Sequence, residues 1–143
     1  MQAQEEKQEL EGSYTLEDFQ KTQHNEWYEK YNSNYTPDKA TLKKLNKVYN
    51  GQTAVAFLGS WCSDTQKHWS AFMKVWEEIS SEENIQLYFV GLDKAINEPE
   101  FQKFEIEYVP TIFILDSNGK VIGKFVETPE KSVEEDLLGI LND

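Results

Sequence analysis

A six-residue apolar run, Thr53 to Leu58, passes through Gly59 and Ser60 into a helical pattern, and the only cysteine, Cys62, stands at the junction. Apolar on successive residues, the run predicts a strand buried on both faces. Trp69, Phe72, Met73, Trp76 and Ile79 follow helical spacing and predict a helix from about Asp64 to Ser80. A thiol between such a strand and helix is placed for chemistry, because free N–H groups and the dipole at a helix start favour a thiolate. Three residues on, where a two-thiol redox site would keep its second cysteine, the chain has Thr65.

Other segments extend the strand–helix alternation. Ile85 to Gly91 reads as a second buried strand, and Pro99 opens a short helix carrying Phe101 and Phe104. Thr111–Leu115 and Val121–Val126 are two strands joined by Asp116-Ser117-Asn118-Gly119, a hairpin signal. A last helix is expected to start at Thr128-Pro129, with Val133, Leu137, Ile140 and Leu141 inward. Upstream, Leu16, Phe19, Trp27 and Tyr31 predict an N-terminal helix whose spacing lapses near Gln23 and which Asn32-Ser33-Asn34 breaks. Thr36-Pro37 then predicts the cap and first residue of a second helix, apolar at Leu42, Leu45, Val48 and Tyr49 and ended by Asn50-Gly51. Parallel pairing from the alternation and antiparallel pairing from the hairpin predict one mixed sheet with helices on both faces. Residues 1–13 read as a flexible leader and 14–143 as a single domain, with 14–35 a helical extension and 36–143 the core.

The chain has 143 residues, 38% of them apolar and 13% aromatic, enough for a real core. Twenty-six acidic residues against 14 lysines and no arginine give a net charge of −12, which repels nucleic acid and anionic lipid. No stretch reaches the length of a membrane span, so membrane insertion is not expected. One cysteine allows no internal disulfide, and with two scattered histidines gives no metal-ligand spacing.

Taken together, these residues resemble the thioredoxin family. Trp61-Cys62-Ser63-Asp64-Thr65 is similar to that family's Trp-Cys-Gly-Pro-Cys between first core strand and long helix. Val109-Pro110-Thr111 is similar to its cis-proline loop, and Asn118-Gly119 fits its hairpin turn. The match covers about Thr36 to Asp143, and the stretch before it adds to or replaces the usual first strand. A closer resemblance is to bacterial thioredoxin-like proteins with a Trp-Cys-x-Asp-Ser/Thr site, some of them exported to the cell envelope. The resemblance implies a three-layer thioredoxin-like α/β fold, a mixed central sheet flanked by helices, with the N-terminal extension. It favours the bacterial envelope or periplasm over the cytoplasm.

Departures from the family bear on function. Thr65 replaces the resolving cysteine, Asp64 the proline, and Ala56 stands where many thioredoxins bury an aspartate. The expected activity is therefore thiol–disulfide exchange through Cys62 alone, with an external low-molecular-weight thiol resolving the intermediate. Trp61, Ser63, Asp64 and Thr65 would support the site, and Val109 and Pro110 would bind the client, with no cofactor or metal. Partners would be protein or peptide thiols and disulfides, met by a monomer. The alternatives are a non-catalytic module holding extended peptide in the Trp61/Pro110 groove, and a redox sensor.

Several residues have plainer readings. Thr65 either donates to the thiolate or holds the helix start, and Asp64 is a first-turn carboxylate satisfying the dipole. Trp69, Phe72, Met73 and Trp76 read as core. His68 lies off the helical spacing that would pair it with Cys62, His24 has no assigned role, and Asp93-Lys94 reads as a cap.

Overall fold

The structure is a computed structural model that describes residues 8–93 and 95–142. Its elements are β1 (Gly12–Tyr14), α1 (Leu16–Gln20), α2 (Asn25–Asn34), α3 (Lys39–Val48), β2 (Thr53–Leu58), α4 (Ser70–Ile79), β3 (Ile85–Phe89), β4 (Thr111–Leu115), β5 (Val121–Val126) and α5 (Val133–Leu141). A π-helical segment, Thr65–Trp69, leads into α4. Strand order is β1-β3-β2-β4-β5, so the strand that delivers Cys62 is central. It pairs parallel with β3 (Val55 beside Gln86) and antiparallel with β4 (Val55 opposite Phe113). A bulge at Ile114/Leu115 interrupts the β4–β5 register.

The two faces of the sheet are covered differently. Ala54, Ala56 and Leu58 of β2 point into the larger core, where Phe19, Trp27, Tyr28, Leu45, Trp69, Phe72, Trp76 and Leu137 bring all five α-helices together. Alanines on the central strand leave room for these large rings. Val55 and Phe57 point the other way, into a smaller cluster with Tyr88, Phe101, Val109, Phe113, Ile96 and Phe104. The helix expected there at Pro99 is only a 3₁₀ turn, Pro99–Phe101. The sheet is thus mixed and flanked by helical segments, as the sequence predicts, with five helices on one side and a turn and loops on the other.

Four boundaries differ from expectation. The flexible-leader reading fails for residues 8–13, and residues 1–7 lie outside the described residues. Leu10 is buried, and Gly12–Tyr14 pairs antiparallel with β3, Gly12 opposite Phe89 and Tyr14 opposite Leu87. Three residues carry too little pattern to read as a strand, and the β3 edge supplies the missing information. Next, the single N-terminal helix is two, parted at the 21–24 turn where the apolar spacing lapses. Phe19 of α1 is fully buried, with ring centroids 5.0 Å from Trp69 and 5.5 Å from Phe89. Burying such a side chain stabilises by about 1.5–3 kcal/mol, enough to fix a five-residue helix that would not stand alone.

The third helix is capped by Asp38, not Thr36, because the Asp38 carboxylate accepts from the Thr41 N–H at 3.0 Å. The last begins at Ser132 and not at Thr128-Pro129. Ser132 Oγ accepts from the Glu135 N–H at 3.1 Å and donates to its carboxylate at 3.1 Å, a variant of the capping box. No helix among the described residues is long and apolar enough to cross a membrane.

Candidate functional site

Cys62 lies at the end of β2 where the chain turns into the helix. Its N–H donates to the Gly59 carbonyl at 2.9 Å, and its own carbonyl accepts from the Gln66 N–H at 3.0 Å. That second bond makes Cys62 the capping residue of the helix, with Ser63 and Asp64 in the first turn. The first N–H groups of any helix lack intrahelical partners, so the sulfur sits at the positive end of the dipole. The thiol is half-buried and donates to the Val109 carbonyl at 3.5 Å. Forty-seven residues of sequence separate these two groups, and the β2–β4 pairing closes that distance.

The facing loop is fixed at both ends. The Val109–Pro110 peptide bond is cis, and both residues are buried. Thr111 Oγ1 donates to the Tyr108 carbonyl at 2.6 Å, spanning the proline. On the β5 side, the Glu127 N–H donates to the Pro110 carbonyl at 2.8 Å. Glu127 has φ 62°, the left-handed region that a glutamate seldom adopts, so this bond holds a strained residue next to the loop.

Each residue around the cysteine has a defined place. Thr65 is fully buried, and its Oγ1 accepts from the Gly59 N–H at 3.1 Å, which ties the helix start to the end of β2. Trp61 Nε1 donates to the Val90 carbonyl at 3.0 Å, tying the site turn to the end of β3. Its indole lies over Gly59 so closely that a Cβ there would come within 2.8 Å of the ring. Gln66 Nε2 donates to the Ser60 carbonyl at 3.0 Å. Ser63 is exposed and Asp64 half-buried, both in the first helical turn after the thiol.

Asp64 acts electrically on His68, one helical turn on. Burial lowers the pKa of His68, the Asp64 charge opposes that shift, and Lys67 adds to it. His68 faces a small cavity lined with Trp69, Pro110, Glu127, Thr128 and Pro129, while the Cys62 sulfur bonds to Val109. Among the described residues no group of His, Cys, Asp and Glu could hold a metal ion.

One reading changes with the structure. His24, given no role from sequence, is buried; its Nδ1 accepts from Trp27 Nε1 at 2.9 Å and its Nε2 lies 2.7 Å from the Gln8 carbonyl. One ring nitrogen accepting leaves the other to donate, so the imidazole pins the N-terminal segment to α2. Asp93 caps its own turn, accepting from the Ala95 N–H at 3.1 Å, while Lys94 lies outside the described residues. Sequence reasoning also missed Leu92 and Tyr108, the most exposed large apolar residues among the described residues, at 69% and 53%. Leu92 follows Val90 and Gly91 beyond the Trp61 contact, and Tyr108 precedes Val109. Their signal was positional: a large apolar residue just outside a strand, beside the proposed groove.

A thiol at a helix start, opposite a cis-proline loop in a mixed β-sheet, defines a thioredoxin-like protein. The sequence model of the family described as "Thioredoxin" matches residues 10–137, and the chain belongs to that family. The match starts at Leu10, inside the stretch 1–13 that reads as a flexible leader from sequence. Among solved structures, the chain is similar to a crystallised HIV epitope scaffold at 20% identity and TM-score 0.59, covering 83% of this chain and 82% of that one. It is also similar to a protein of unknown function from Pseudomonas aeruginosa at 19% identity and TM-score 0.56, covering 83% and 80%. These two likenesses bear on the fold alone. No curated protein matches the chain.

Proposed function

We propose that the protein is a single-thiol thioredoxin-like protein that exchanges disulfides through Cys62. The observation that carries this is the half-buried Cys62 sulfur against the Val109 carbonyl, on the loop where a client strand would lie. In the first step the Cys62 thiolate attacks one sulfur of a client disulfide R–S–S–R′. A Cys62–S–S–R bond forms as the R–S–S–R′ bond breaks, and R′ leaves as a thiolate. Thr65 has no sulfur with which to resolve this intermediate. A low-molecular-weight thiolate therefore attacks the R sulfur, forms a new disulfide with R and returns Cys62 as thiolate. Clients are protein or peptide disulfides and glutathione-type mixed disulfides, met by a monomer. On the resemblance to the bacterial group with a Trp-Cys-x-Asp-Ser/Thr site, the protein works in the cell envelope.

The test is reduction of a glutathionylated peptide by a small thiol, with and without the protein. Acceleration that disappears in Cys62→Ser supports the reading, and equal rates for the two proteins contradict it. The exposure of Leu92, two residues past the Val90 carbonyl that holds Trp61, and of Tyr108, next to Val109, favours a second reading. In that reading the Trp61/Pro110 groove holds extended peptide without turnover, and capture survives Cys62→Ala.

A further inference from the structure

Ser60, the residue before Trp61-Cys62, is 1% exposed, and both hydrogen bonds of its hydroxyl go to the N-terminal segment. Ser60 Oγ donates to Glu9 Oε1 at 2.8 Å and accepts from the Leu10 N–H at 2.9 Å. Two more contacts hold the same segment: His24 Nε2 on the Gln8 carbonyl at 2.7 Å, and the Glu11 side chain laid against Gly91, where a Cβ would come within 2.6 Å of its carboxylate. The strap formed by residues 8–11 thus touches the β2 turn and the end of β3, the two places that seat Trp61. The helix side of the turn is held by Thr65 and Gln66, and the strap holds the remaining side.

We propose that Glu9 is a positioning residue: through Ser60 it fixes the turn that carries Cys62 and sets how far the sulfur is held against Val109. The inference rests on the reading of Cys62 as the reacting group. A hydroxyl has one proton, and here Glu9 receives it, so removing the carboxylate leaves Ser60 bonded to the strap only through the Leu10 amide. Glu9 itself is exposed, so its loss opens no cavity in the core. The turn then opens more often, and the thiol leaves the Val109 carbonyl for solvent in a larger share of molecules.

The experiment is the limiting alkylation rate of Cys62 by iodoacetamide, taken where further rise in pH no longer changes it. Glu9→Ala should react about three- to tenfold faster than the unmodified protein, the factor that one lost hydrogen bond allows. Glu9→Gln keeps an acceptor oxygen and should return the rate to its original value. In a Ser60→Ala background, Glu9→Ala should have no further effect. A rate in Glu9→Ala equal to or below the original, or failure of Glu9→Gln to restore it, overturns the proposal. A purely structural role would lower the melting temperature of Glu9→Ala without moving this rate. Alkylation reads the sulfur alone, so absence of turnover on a glutathionylated peptide would count against the exchange reaction and leave the positioning role standing.

Discussion

Thr65 gives its side-chain oxygen to the Gly59 N–H at 3.1 Å, so the residue standing where a second cysteine would be holds the strand-to-helix turn closed. Replacing it by valine keeps shape and β-branching but leaves a buried N–H without an acceptor. Thr65→Val should lose about 1–3 kcal/mol in urea unfolding, whereas Thr65→Ser, which keeps the oxygen, should lose less.

Gly59 is required by close approach. A Cβ at this position would lie 2.8 Å from the Trp61 ring, so Gly59→Ala must displace the indole and with it the Trp61–Val90 bond. The expected cost is about 1–3 kcal/mol. The indole N–H of Trp61 should also exchange with solvent faster, by NMR, while those of buried Trp69 and Trp76 do not.

Far from the thiol, Glu134 is buried and accepts from the Tyr35 hydroxyl and, at 2.9 Å, from the Asp38 N–H. It thereby fastens the start of α3 to α5. Glu134→Ala should cost about 2–4 kcal/mol, since both donors lose a charged acceptor. Glu134→Gln should recover part of the loss.

Alkali should destabilise the fold through the same region and through α2. Burial pushes the Tyr35 hydroxyl well above the usual tyrosine range, and its bond to Glu134 adds to the shift. Burial does the same to Tyr28, with the charges of Glu77 and Glu29 adding. The folded protein keeps both protons where the unfolded chain releases them, near pH 10. This contribution is fully present below that pH and is lost as pH rises past it. Guanidinium midpoints should therefore hold from pH 7 to 9 and fall at pH 11, less steeply in Tyr28→Phe.

The strands of the central sheet and the site helix were legible because their apolar patterns are long and their neighbours lie close in sequence. Thr53–Leu58 reads as buried on both faces because it is. Leu10 and Gly12–Tyr14 were not legible, since a three-residue strand is defined by the β3 edge it meets, 75 residues later. The caps at Asp38 and Ser132 were legible in principle: each has its partner three residues on, and the more familiar Thr-Pro pairs upstream drew the reading away. At the site, Cys62 meets the Val109-Pro110 loop and Trp61 is tied to Val90. The parts that steady them, Ser60 with Glu9 and Glu127 with Pro110, depend on contacts that no local pattern encodes.

The exposed Leu92 and Tyr108 give a prediction about clients. Leu92→Ser and Tyr108→Ser remove apolar surface that the fold does not use, so stability should change by no more than about 0.5 kcal/mol. Exchange with a peptide disulfide that carries apolar residues should slow in both, while exchange with oxidised glutathione, which has no apolar side chain to lay on this surface, should not. Comparing the two rates in each variant checks this.

The most direct measurement is the intact mass of the protein after incubation with oxidised glutathione, then after addition of a small thiol. Single-thiol exchange predicts one glutathione adduct, mapped to Cys62 and fully released by the thiol. A protein that takes up no adduct while folded, or an adduct that the thiol does not release, would contradict it.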